Sequence, residues 1–117
     1  MESFRDLIVY RKAYGYSLEV HKLSLKFPGY EQPELGGQIR RATKSIPMNI
    51  AEGFGRRSST AELKRFLSIA RGSCDEVSVQ LEYCKDLQYI TEAEYARFVE
   101  YYAEVGKMLT GMIKKWQ

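Results

Sequence analysis

Apolar residues recur at steps of three and four along most of the chain, and three clusters of turn-forming residues interrupt them. The first stretch carries Leu7, Tyr10, Ala13, Tyr14, Leu18, Val20 and Leu25, too many for one narrow stripe, before FPGYEQPE breaks it with two prolines and a glycine. A second stretch starts near Glu34 and places Leu35, Ile39, Ala42, Ile46 and Ile50 on one helical face. Gly53 and Gly55 mark its end, where glycine can take the φ > 0 conformation that closes a helix. The third opens with Ser59-Thr60-Ala61-Glu62, the spacing of a capping box, and its face is Leu63, Phe66, Leu67, Ala70, Val77, Leu81 and Cys84. The fourth opens with a second capping box, Thr91-Glu92-Ala93-Glu94. Tyr95, Phe98, Tyr102, Val105, Leu109, Met112 and Trp116 then form a coiled-coil-like seam. No Val/Ile/Thr-rich run alternates with period two. The pattern predicts an all-α, antiparallel up-down four-helix bundle in one domain over residues 1–117, with helices at about 6–26, 34–54, 60–87 and 92–116.

Two helices carry more than one face. With Ile46 at the centre of the core stripe and about 100° per residue, Gln38, Ser45, Asn49 and Arg56 gather on one flank, with Glu52 and Arg41 just beyond. Polar groups bordering a core need hydrogen-bond partners, so Ser45, Asn49, Glu52, Ser73 and Glu76 are read as a structural polar network at a helix or subunit junction. Pro47, Met48 and Ala51 fall on the far side, where a solvent-facing helix would carry Lys or Glu. Pro47 also removes a backbone donor and is expected to bend the helix. The third helix has Ile69, Gly72, Val79 and Tyr83 opposite its core stripe, and a helix with two apolar faces has two partners. Pro47, Met48, Ala51, Ile69, Gly72, Val79 and Tyr83 are therefore the expected surface of self-association.

About 44% apolar residues suffice for a core without disulfides or a structural metal. The N-terminal MESFRDLIVYRKAYGY has no signal-peptide pattern, and no run approaches membrane-spanning length, so a cytoplasmic protein away from membranes is expected. Cys74 and Cys84, on one helix, lie about 15 Å apart, too far to pair. They read as buried thiols in a reducing compartment.

The net charge of +3 is unevenly spread. Residues 35–71 hold eight cations (Arg40, Arg41, Lys44, Arg56, Arg57, Lys64, Arg65 and Arg71) against Glu52 and Glu62, whereas residues 72–117 hold five cations against eight acids. A basic middle beside an acidic C-terminal half fits a polyanionic partner, or equally a solvated, salt-bridged surface. The eight cations form one region only if the second and third helices are neighbours, and phosphate binding there would be sequence-tolerant and salt-sensitive.

Catalytic chemistry finds little support. His21 is the only histidine, without metal-ligand or dyad spacing, and Asp75 and Glu76 point in different directions on one helix. EGFGRRSS lacks the third glycine of a dinucleotide fingerprint and the GK[ST] of a P-loop. The start of the third helix, with Arg56 and Arg57 beside it, can still favour an anion, or simply be a turn with solvated arginines. The expectation is no enzyme, no metal and no cofactor.

RRATKSIPMNIAEGFGRRSSTAELKRFLSIARGSCDE, with LIVYRKA before it and KFP closing the first helix, resembles the signature of the four-helix bundle proteins encoded in intervening sequences of bacterial 23S rRNA genes. That family is related to the accessory variability proteins of diversity-generating retroelements. His21 stands where the family often carries an aromatic residue. The resemblance implies a ring-like homopentamer, and the retroelement relatives bind nucleic acid and associate with a reverse transcriptase. The matching motif positions are Arg41, Ser45, Asn49, Glu52, Gly53, Arg56, Arg71, Gly72, Ser73 and Glu76. The combined expectation is a non-enzymatic oligomer binding RNA or DNA through its basic surface. The alternative is a protein-interaction scaffold or accessory subunit of a retroelement reverse transcriptase.

Overall fold

The computed structural model of the chain describes residues 3–115. Trp116, the last residue of the expected fourth seam, lies outside them. All regular structure among the described residues is helical: α1 (Ile8–Ser24), α2 (Gly37–Gly55), α3 (Thr60–Asp86) and α4 (Glu92–Lys115). The first helix is shorter than its apolar pattern suggests. A 3₁₀ turn at Phe4–Asp6, closed by a capping box between Ser3 and Asp6, precedes it, and Leu7 is extended between the two. The second starts at Gly37 because a π-helical turn at Gln32–Gly36 comes first, kinked at Glu34 (φ −95°, ψ −105°).

The helix ends follow local chemistry that differs in part from the sequence pattern. At the end of α2 no glycine has positive φ. Instead the Arg56 N–H reaches back to the carbonyls of Glu52, Gly53 and Phe54. Left-handed closure occurs after α3, at Gln88 (φ 65°), where the N–H groups of Leu87 and Tyr89 satisfy the carbonyls of Tyr83 and Cys84. The capping box of α4 is complete, with Thr91 and Glu94 bonded reciprocally. The one expected at α3 is half made: Ser59 Oγ accepts from the Glu62 N–H, while two arginines hold the Glu62 carboxylate.

Helices adjacent in the chain pack side by side and α1 also meets α4, giving a bundle of 44 × 23 × 20 Å. Ile39, Ile46 and Ile50 meet Leu67, Val77 and Leu81 across the interior, with Val20 from α1 and Phe98, Tyr102, Val105 and Leu109 from α4. Each such side chain contributes roughly 1.5–3 kcal/mol on burial. The surplus of apolar residues on α1 has a structural outcome: Tyr14, Leu18 and Leu25 stay exposed. Cys74 and Cys84 are free and buried, and burial pushes both thiols up to about 12.

Pro47 departs from its expected place. It is buried, whereas Met48 beside it is 67% exposed. Helix α2 packs on both α1 and α3, so its buried arc extends beyond one stripe, and Pro47 falls on the side that meets α1. Helix α2 runs unbroken through Pro47 from Gly37 to Gly55. Gly53, buried near the far end of α2, sets how closely α3 approaches. A Cβ there would lie 3.1 Å from Phe66 Cβ and 3.3 Å from the Leu63 carbonyl oxygen. No helix among the described residues is long and apolar enough to cross a membrane.

Candidate nucleic-acid interface

The polar flank of α2 meets α3 in a small network. Ser45 Oγ and Ser73 Oγ are 3.0 Å apart, and Asn49 Nδ2 donates to the Ser45 carbonyl at 2.8 Å and to its Oγ at 3.0 Å. These contacts satisfy half-buried polar groups at the junction. Glu52 and Glu76 are not part of it. Glu52 is exposed and pairs with Arg56 within its own helix end, and exposed Glu76 accepts only from Gln80 Nε2, at 3.4 Å. The expected five-residue network is therefore three residues, because both carboxylates lie farther round their helices, toward solvent.

The eight cations divide among three places. Arg56, Arg57, Lys64 and Arg65 gather where α2 turns into α3. Arg56 bonds to Glu52 at 2.9 Å and Glu62 at 3.2 Å, and Arg65 bonds to Glu62 at 2.9 Å. The hydrogen bond that Arg56 donates to Glu52, and the charge of that carboxylate, hold Arg56 above its ordinary range, and Arg65, with Arg56, holds the Glu62 carboxyl below its own. Both guanidinium groups lie over the Phe66 ring, 5.2 and 4.4 Å from its centroid. Arg57 lies 4.0 Å over Phe54, and its guanidinium donates to the Phe54 carbonyl. The turn therefore presents three arginines over two aromatic rings, four cations in all and two carboxylates.

The second group lies about 18–24 Å away along α2, at 1.5 Å per residue. There Arg40 is committed to the fold: its guanidinium donates to Ser24 Oγ (2.8 Å), Gln32 Oε1 (3.1 Å) and the Gln32 carbonyl (2.7 Å). It ties α2 to the end of α1 and the connecting segment, so the reading of Arg40 as an outward phosphate contact does not match its geometry. Lys44 Nζ is 2.9 Å from His21 Nδ1. Burial first, then the charges of Lys44 and Arg40, hold the imidazole below its ordinary pKa, so neutral His21 accepts from Lys44. Arg41 is exposed and borders a cavity of about 490 Å³ with Gln38, Ser45 and Glu76. The third place belongs to Arg71 alone, which faces α4 and donates to Thr110 Oγ1 at 3.0 Å and Asp75 at 2.8 Å. The single basic region expected from sequence is thus two patches and an outlier.

The uncovered apolar surfaces among the described residues include one on α3 and one between α1 and α2. On α3, Ile69, Val79 and Tyr83 are 41, 52 and 59% exposed. A Cβ on Gly72 between them would meet nothing within 4 Å. Between α1 and α2 a groove of about 860 Å³ is lined by Tyr14, Leu18, Pro47, Met48 and Ala51, among others. Tyr14 and Leu18 were not singled out from sequence; the excess of apolar residues on the first helix was their signal. No cluster of three or more His, Cys, Asp or Glu side chains suited to a metal ion occurs among the described residues.

The family model described as 23S rRNA-intervening sequence protein matches residues 5–111. The chain is similar to the crystal structure of a protein with unknown function from the S23 ribosomal protein family from Bacteroides thetaiotaomicron. The two share 29% identity over 92% of this chain and 96% of that one, with a TM-score of 0.81. No curated protein matches the chain.

Proposed function

This chain belongs to the 23S rRNA-intervening sequence protein family, and from that premise we propose that it is a non-enzymatic, self-assembling protein that holds the phosphate backbone of RNA or DNA. The observation that carries the reading is the α2–α3 turn. Among the described residues Arg57 and Lys64 pair with no carboxylate, and Phe54 and Phe66 hold three guanidinium planes in place. Stacking restricts long side chains in advance, so less freedom is lost when a phosphate is bound. Arg41 and Lys44 form the secondary contact on the same helix. Mobility-shift titrations of single-stranded RNA and duplex DNA across salt test the reading. Replacing Arg57 and Lys64 with glutamine should lower the salt slope by about two, one per phosphate contact, with little dependence on sequence. No binding of either polymer at low salt refutes it.

Assembly is part of the same proposal. In an up-down antiparallel bundle the α3 ridge (Ile69, Gly72, Val79, Tyr83) and the α1/α2 groove (Tyr14, Leu18, Pro47, Met48, Ala51) are different surfaces. Pairing ridge to groove is head-to-tail, which closes into rings such as the pentamer the resemblance implies. Acidic Glu76 on the ridge would face the cationic Lys44 at the groove's edge. A monomer in sedimentation equilibrium at micromolar concentration refutes assembly. The same exposed groove supports a second reading, docking of another protein such as a reverse transcriptase. A reverse-transcriptase gene with a template repeat beside the coding gene favours it, and an enclosing rRNA gene disfavours it.

A further inference from the structure

A cavity of about 470 Å³ opens where the end of α1, the connecting segment and the start of α2 meet. Its titratable lining is His21, Arg40, Arg41 and Lys44, and no carboxylate is among the lining residues. Elsewhere the chain opposes its clustered cations with acids: Lys12 meets Glu104, Arg56 and Arg65 share Glu62, and Arg71 meets Asp75. Here the fold orients the cations and supplies no counter-charge. Arg40 is held by Ser24 and Gln32. Arg41 lies across Gly37, where a Cβ would stand 3.2 Å from its Nη1. Lys44 Nζ donates to His21 Nδ1 at 2.9 Å. An ammonium bonded to a neutral imidazole has a hydrogen-bond partner, but its positive charge stays unopposed.

His21 is the group in this cluster whose charge can change near neutral pH. Burial and then the charges of Lys44 and Arg40 act on the ring, and all three favour its neutral form. The acids on the same elements are engaged elsewhere or face solvent. Glu31 accepts from Tyr89 and from the Leu35 N–H, the charge of Glu19 acts on Tyr16 and Tyr102, and Glu34 is exposed, as are Lys22 and Lys26. An anion in the cavity reverses the balance by supplying the missing negative charge. A protonated imidazole also suits this place, because His21 lies in the last turn of α1, at the negative end of the helix dipole. Once protonated, His21 cannot accept from Lys44, so the ammonium is released to the same anion.

We propose that this cavity seats one backbone phosphate by replacing the Lys44–His21 hydrogen bond with three contacts, from Lys44, from Arg41 and from protonated His21. It rests on the reading that the basic surface of α2 holds a nucleic-acid backbone, and adds to it a binding residue and the uptake of one proton. Because the bound state carries the extra proton, affinity rises as pH falls from the bound toward the lower, free pKa of His21. The probe is an oligouridylate with hydroxyl ends, whose charge is constant between about pH 6 and about pH 8, so any pH dependence belongs to the protein. Fluorescence anisotropy with the full chain at constant salt should find it at least ~5-fold tighter at the lower pH than at the higher. H21Q should bind equally at both, whereas R57Q should weaken binding at both and keep their ratio. The only histidine gives one imidazole signal in proton NMR. Its titration midpoint should rise at saturating oligouridylate and stay where it is with uridine, a readout that needs no variant. The proposal is overturned if the oligomer binds with equal affinity at both pH values, if H21Q keeps the pH dependence, or if the midpoint does not move when the oligomer is bound. Each of these leaves polymer binding at the α2–α3 turn standing. No binding at either pH in low salt overturns both readings.

Discussion

Two helical glycines make opposite demands, and replacing each with alanine separates fold from assembly. Alanine gains about 0.8–1 kcal/mol over glycine in a helix interior. At Gly72 nothing opposes the gain, because a Cβ there meets no atom within 4 Å. G72A should therefore raise the stability of the isolated chain by about 1 kcal/mol, roughly 4 °C in melting temperature for a domain of this size. At Gly53 the added Cβ lies 3.1 Å from Phe66 Cβ, 3.3 Å from the Leu63 carbonyl oxygen and 3.6 Å from Leu63 Cδ1. The carbonyl belongs to α3 and cannot rotate away, so α2 and α3 must separate by a few tenths of an ångström. Overpacking of this kind costs about 1–3 kcal/mol, which exceeds the helix gain and leaves G53A about 1 kcal/mol less stable than the parent. The difference between the two variants is then about 2 kcal/mol. Urea unfolding measures it, run at two protein concentrations because assembly would add stability by mass action. If G53A proves as stable as G72A, the close α2–α3 approach does not govern this position and the reasoning fails. If Gly72 lies in an interface between copies, G72A should also sediment as a smaller species while its monomer is more stable. Unchanged sedimentation would remove Gly72 from the proposed ridge.

R40M should cost about 2 kcal/mol, since three hydrogen bonds from a charged donor are lost, and speed amide exchange over residues 29–36. R40K should not restore it, because an ammonium cannot reproduce the fork that grips the Gln32 amide and carbonyl together. Unfolding at a series of pH values should show two acid-side losses. The His21 pKa is lowered by burial, Lys44 and Arg40, so the unfolded chain takes up that proton first and stability falls as pH drops below about 6.5. H21Q should flatten that step. The hydrogen bonds from Lys12 (2.6 Å) and Tyr16 (2.7 Å) hold the Glu104 carboxyl below its ordinary 4.5, so its contribution persists above that value and disappears as pH falls through the lower folded pKa. E104Q should flatten only this second step. A pH profile identical in all three proteins would refute both assignments.

What the sequence made legible, and what it hid, follows from the range of the forces involved. Ile39, Ile46, Ile50, Leu67, Val77, Phe98 and Leu109 are buried as their spacing requires, because the 3.6-residue period records one face and each helix has one face toward the bundle axis. Pro47 was misplaced for the same reason. A single-stripe wheel gives α2 one partner, whereas α2 lies against both α1 and α3 and buries its two flanks. Arg40 looked like a surface cation because its partners, Ser24 and Gln32, lie sixteen and eight residues earlier, at the end of α1 and in a connection whose path local pattern does not fix. Glu62 matched a capping box by spacing alone. Arg56 and Arg65 compete for the same carboxylate, and two charge-assisted hydrogen bonds outweigh one to a backbone N–H. The same competition governs the candidate interface. A count of cations measures potential, while binding depends on donors that the fold leaves uncommitted. By that measure Arg40 and Arg71, whose guanidinium groups the fold already holds, leave the interface, and Arg57, Lys64 and Arg41 become the positions where substitution should weaken polymer binding without unfolding the bundle.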